Sequence, residues 1–262
     1  MEMQSRQRDG IAWMRANPEA WTRESFLQVH NWWHLALFHY DLGETDEVLA
    51  LYDGPIYGTR SMLALNMVDA SAILWRLHLG GVDVGDRWAD VATYLKPRLH
   101  EHFVPFFDLQ YLYGLARAGD PSVTEMLASL EDKAENAKPF EREAWADCTV
   151  PAAHGLAAYA KGDHAEAARL LGQAMPHLSK IGGSIAQRSL FGAIHLDALM
   201  KSGWNDAALK ILQADDRERP TVPWTKRSLG DLYRRLGRME QALAAEYQAE
   251  QLARQYAQRK PT

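Results

Sequence analysis

The sequence is poor in the features that mark secreted, membrane and nucleic-acid-binding proteins. It has one cysteine, Cys148, so no internal disulfide can form and a reducing compartment is the natural setting. Burial habits make that thiol a structural one, placed before Thr149-Val150-Pro151 at an expected helix–helix turn. Long apolar runs are missing. The stretch Leu35-Ala36-Leu37-Phe38 falls far short of the ~20 residues of a membrane-spanning helix. The opening residues Met1-Glu2-Met3-Gln4-Ser5-Arg6 have no apolar stretch of the kind a secretory leader carries. These features lead us to expect a soluble, cytoplasmic protein without a membrane partner. With 29 Lys and Arg against 34 Asp and Glu, the net charge is −5, which argues against a general nucleic-acid binder.

What is present points to a folded helical chain. Hydrophobic residues make up 47% and charged residues 24% of 262, a globular composition. The length is large for one compact core and comfortable for a repeat array. Glycines that end one helical run and precede another recur at Gly43, Gly80, Gly119, Gly162, Gly203 and Gly237. The steps between them are 37, 39, 43, 41 and 34 residues, the last equal to the tetratricopeptide (TPR) period. Small residues hold matching offsets around these glycines, at Ala36, Gly155, Ala167, Ala208, Gly230 and Ala242, where two helices would cross closely. Asp46, Asp163 and Asp206 suit the starts of second helices. Apolar residues recur at three and four, with no competing strand pattern.

The spacing predicts helices over 6–16, 25–42, 45–54, 60–79, 86–95, 105–118, 121–132, 139–145, 151–161, 164–174, 184–202, 205–213, 223–236 and 239–257. The expected fold is all-α, a right-handed superhelix of TPR-like antiparallel helix pairs (an α–α solenoid). It would form a single domain over 1–262, with a lone half-repeat helix at 1–17 and about six helix pairs over 25–262. The charged last helix, ending in Arg254, Arg259 and Lys260, suits a solvated cap.

Several segments resemble the tetratricopeptide repeat protein 38 family. They are His30 to Phe38 (H-N-W-W-H-L-A-L-F), Tyr52-Asp53, Val68 to Leu77 (V-D-A-S-A-I-L-W-R-L), Arg87-Trp88 and Ile181 to Phe191 (I-G-G-S-I-A-Q-R-S-L-F). The matches run in order along almost the whole chain. The family usually has Asp where Ser189 stands, Asn or His at Ile185 and His at Gln110. Its members are usually longer, with further helix pairs in front. The resemblance therefore implies a chain that starts inside a repeat, with a lone helix exposing Ile11, Trp13 and Met14. That edge would pair with another chain, a homodimer being one outcome. The resemblance implies no defined activity.

Candidate site residues fall on first-of-pair helices. His30 and His34 are four apart on one helical face, one residue from the H-E-x-x-H zinc motif. Asn31 stands where that motif needs a glutamate base, so no metal or other cofactor is expected. Gly182-Gly183-Ser184 precedes a helix, and its free N–H groups with Arg188 suit a carboxylate or phosphate. The same segment, Ser184-x-x-Gln187, also spells a capping box. Asp69 and Arg76, seven apart, share a face and suit a buried ion pair or the lining of a groove. Asp108 joins this group if successive first helices line one hollow. The candidate ligand-binding set is His30, His34, Asp69, Arg76, Asp108, Ser184, Gln187 and Arg188. The leading expectation is a binding module holding a peptide segment, a protein or a small anionic ligand in a concave groove. The rival is an enzyme with His30 or His34 as base and Arg188 on an anion. A scaffold with a purely structural polar cluster is the third reading.

Overall fold

A computed structural model describes residues 6–23 and 25–258, and among these the chain is all-helical with no strand. The expected residues Met1 to Ser5, and Arg259 and Lys260, lie outside the described residues. The α-helices are α1 (Gln7–Ala16), α2 (Glu19–Thr22), α3 (Gln28–Asp41), α4 (Thr45–Leu51), α5 (Ala64–Leu79), α6 (Arg87–Leu95), α7 (Pro105–Arg117), α8 (Val123–Glu135), α9 (Val150–Ala160), α10 (His164–Ala174), α11 (Ile185–Lys201), α12 (Asn205–Glu218), α13 (Pro223–Arg235) and α14 (Met239–Gln258).

One turn recurs between paired helices. Gly43 N–H donates to Tyr40 O (2.9 Å) and Glu44 N–H to His39 O (3.0 Å), which satisfies two carbonyls at the end of α3. The same two bonds appear at Gly119, Gly162, Gly203 and Gly237, all with φ between 68° and 85°. That left-handed conformation is open to glycine without a steric penalty. The second turn departs from expectation: Gly80 has φ −75° and Gly81, at 76°, makes the turn. The inserted residue moves the left-handed position one step along.

Where paired helices cross, small residues set the distance. A Cβ on Gly155 would lie 2.9 Å from Leu171 Cγ of α10, and one on Gly230 2.8 Å from Glu246 Cγ of α14. Ala36, Ala167, Ala208 and Ala242 are fully buried. Most helices pack on the next in sequence, α1, α3, α5, α7 and α9 also pack one on the next, and α11 packs on α5. The aromatic core sits at that junction. Trp75 of α5 stacks on Tyr113 of α7 (3.9 Å), and Phe191 of α11 meets Trp75 edge-on (5.3 Å).

Several expectations need correction. The helix expected over 139–145 is a π-helical segment, Glu143–Thr149, that runs straight into α9. Cys148 is therefore inside a continuous helix, not at a turn. Pro151 lacks the N–H that an α-turn would bring to Asp147 O, and a wider turn accommodates this. A second π-helical segment, Tyr52–Ile56, contains Pro55 for the same reason and ends α4 earlier than expected. α12 runs five residues beyond its apolar pattern because polar contacts hold its end: Thr225 Oγ1 donates to Asp215 (2.6 Å) and Lys226 to Asp216 (2.8 Å). At the front, Ile11 and Met14 are buried. A Cβ on Gly10 would lie 2.6 Å from the Phe38 ring, so α1 beds closely on α3. Of the three residues expected to be exposed, Trp13 alone is, at 65%.

Candidate functional site

The sequence places His30 and His34 on α3, Asp69 and Arg76 on α5, and the structure brings these four together. His30 Nδ1 lies 3.1 Å from Asp69 Oδ2 and 3.3 Å from Oδ1. Its ring stacks on the buried Trp33 (5.2 Å, 13° between planes), and His34 meets it edge-on at 4.7 Å. The Asp69 carboxylate holds the His30 pKa above its ordinary value, against the opposing effect of burial. Burial pushes the fully buried Asp69 carboxyl upward, opposed first by the His30 hydrogen bond.

Asp69 has His30 as an ion-pair partner, and the Arg76 charge also favours its carboxylate. The long Arg76 side chain crosses to α11. Its guanidinium donates to Ala186 O (2.6 Å) and Ser189 Oγ (3.4 Å), and it lies 5.5 Å from the Trp33 ring centre. Arg76 thus links the His30–Asp69 pair to the first turn of α11.

At that turn the capping box is formed. Gln187 N–H donates to Ser184 Oγ (3.2 Å), and Ser184 N–H to Gln187 Oε1 (2.8 Å). Arg188 donates to the carbonyl oxygens of Gly182 (3.2 Å) and Gly183. Its guanidinium is thus engaged with the turn's own carbonyls. A Cβ on Gly182 would lie 3.2 Å from Val104 and one on Gly183 3.2 Å from Phe106, so the turn before α11 packs closely against the start of α7.

Asp108 does not join the His30, His34 and Asp69 group. Its carboxylate, 1% exposed, faces its own connecting loop, with Oδ1 3.1 Å from His102 Nδ1. His102 Nε2 in turn lies 2.6 Å from Ser129 Oγ of α8. Burial pushes the Asp108 carboxyl upward, with the His102 bond opposing. Sequence reasoning missed His100, His102 and Ser129. The available signal was His100-Glu101-His102, six residues ahead of an aspartate at the start of α7.

His34 also lines an open cleft of about 300 Å³ between α1 and α3, walled by Gly10, Trp13, Met14, Asn31 and Phe38. It is a mostly apolar depression with two polar side chains at its edge. No protein-family model matches this chain. Among the described residues, no group of three or more His, Cys, Asp or Glu is arranged to hold a metal ion, and no helix is long and apolar enough to cross a membrane. Cys148 is buried at 3.5 Å from Ala174 O. Burial pushes its thiol up to about 12, which leaves almost no thiolate for nucleophilic chemistry at neutral pH.

Proposed function

We propose that this chain is a helical-repeat binding protein that seats an apolar side chain of a peptide segment in the cleft beside His34. One observation carries this reading: the cleft of about 300 Å³ is open and mostly apolar, and Trp13 stands 65% exposed at its wall. Large exposed aromatics beside a shallow apolar depression favour a protein partner. His34 and Asn31 at the edge can meet a peptide's polar backbone. A small anion is less well served, because Arg188 and the start of α11 already bond within the protein. The five recurring glycine turns and neighbour-to-neighbour packing support stacked TPR-like pairs in a right-handed superhelix.

Kinship with the tetratricopeptide repeat protein 38 family is part of this proposal. Arg76 meets Ser189 where that family usually has Asp, and the buried Gln110 stands where it usually has His. Both departures replace ionisable groups, at an exposed position for Ser189 and a buried one for Gln110, which favours binding over a transferred acid–base activity. The cytoplasm is the compartment we propose, on the strength of the single buried thiol.

Panning a random-peptide display library against the protein tests the reading. Enriched peptides should share an apolar anchor and lose about tenfold or more in affinity against Trp13→Ala or His34→Ala, a loss of about 1.4 kcal/mol. No enrichment, or equal binding to Trp13→Ala, overturns it. Exposed Trp13 also suits a second copy of this chain. A dimer in light scattering that Trp13→Ser converts to monomer would assign the cleft to self-association instead.

A further inference from the structure

A second polar constellation lies apart from the His34 cleft, where the loop between α6 and α7 crosses α8. His102 adopts φ 42°, a left-handed conformation that a non-glycine residue enters only when its surroundings compel it. Its imidazole is clamped at both nitrogens: Nδ1 is 3.1 Å from the buried Asp108 carboxylate and Nε2 is 2.6 Å from Ser129 Oγ. On its other side Ser129 Oγ lies 2.8 Å from His100 Nδ1, whose Nε2 is 2.9 Å from Glu125 Oε1. Exposure rises outward along this chain. The side chains of Asp108, His102 and His100 are 1%, 12% and 60% exposed.

A serine hydroxyl has one hydrogen, and here it faces two imidazole nitrogens, so one ring donates to Oγ and the other accepts from it. Asp108 accepts from His102 Nδ1–H, which leaves the His102 Nε2 lone pair to take the Ser129 proton, while Oγ accepts from His100 Nδ1–H. That is the order of groups in an activated nucleophile: hydroxyl, base, and a buried carboxylate that fixes the base's tautomer.

We propose that Ser129, His102 and Asp108 form a nucleophile, general base and orienting carboxylate that hydrolyse carboxylic esters. Ser129 Oγ attacks the ester carbonyl carbon, and its proton passes to His102 Nε2. The carbonyl π pair moves onto oxygen, where His100 Nδ1–H can turn to meet it. The tetrahedral intermediate collapses and breaks the bond to the alkoxy oxygen, which takes the proton from His102 and leaves as the alcohol. Water then attacks the acyl-serine and gives a proton to His102. Collapse releases the carboxylic acid as the proton returns to Ser129 Oγ. Phe103, next to His102 and 87% exposed, offers an apolar seat for the ester's hydrocarbon part.

The test uses the whole protein with a fluorophosphonate probe and 4-nitrophenyl butyrate. The probe should form one covalent adduct, which peptide mapping places on Ser129. Ser129→Ala should abolish both adduct and ester turnover while leaving the circular dichroism unchanged. His102→Gln should slow labelling and turnover by about 100-fold or more, as loss of a general base does. A chain that takes no label, a label on another residue, or ester turnover that survives Ser129→Ala overturns the proposal. Turnover lost in His100→Gln but retained in Ser129→Ala would assign the rate to an exposed imidazole and overturn it equally.

Discussion

Asp69 and Asp108 stand eleven residues before Gly80 and Gly119, the same place in α5 and α7. Both are buried, both face a histidine, and each histidine has an indole behind it: His30 on Trp33 at 5.2 Å, His102 against Trp145 at 5.9 Å. The source of the histidine differs. Asp69 takes His30 from α3, the first helix of the pair before it, whereas Asp108 takes His102 from its own approach loop. The outer ends of the two chains also differ. His30 leads to His34 and an apolar cleft. His102 leads to a serine hydroxyl. Matching positions on two helices thus acquire different chemistry when one connecting loop folds back on its own helix.

The largest expected effect tests the indoles. Trp33→Ala and Trp145→Ala should each cost about 3–5 kcal/mol in urea unfolding, as buried tryptophans do. Trp33→Ala alone should displace the His30 ring resonances in NMR. If Trp145→Ala moves them as much, the two sites are not separate. Next, a double-mutant cycle between His30→Ala and Asp69→Ala should give a coupling of about 1 kcal/mol, and His30→Ala with Asp108→Ala less than about 0.5 kcal/mol. Equal couplings would merge the two pairs.

A smaller effect concerns pH. His30 has its folded pKa raised, chiefly by the Asp69 hydrogen bond. Its stabilisation is therefore complete below the unfolded value of about 6.5 and is lost as pH rises through the folded value. His78 is opposite in sign. Burial and Arg117 lower it to about 4, so stability falls as pH drops from about 6.5 toward 4. Asp69→Asn should bring the His30 titration down and leave His78 alone, as two-dimensional NMR would show. The smallest change is expected at Trp13→Ser, within about 0.5 kcal/mol of wild type because the ring is mostly in water, although peptide binding should suffer.

The helices and the turns between them were legible because their signals are local: apolar spacing within each helix, and a glycine where the chain must take a positive φ. The Ser184–Gln187 box was legible for the same reason, since both partners lie within one turn of helix. What failed involved reach and tertiary direction. Asp69 and Arg76 share a face of α5, but their spacing does not announce that the long arginine also reaches a carbonyl 110 residues away in sequence. Asp108 matches Asp69 in its helix position, yet a left-handed His102 captured it, and nothing in His102's neighbours announces that conformation. Ser129 lies 27 residues from His102 on another helix, with no motif spacing to link them.

The bond from Arg76 to Ala186 has a consequence for how the molecule comes apart. A row of repeats that touch only their sequence neighbours melts piecemeal from its ends. Here a tie between α5 and α11 encloses the helices between them, so that span should exchange its amide hydrogens as one cooperative block. α13 and α14 lie outside the enclosed span and are free to fray first, giving this chain a slow-exchanging middle and a fast-exchanging tail.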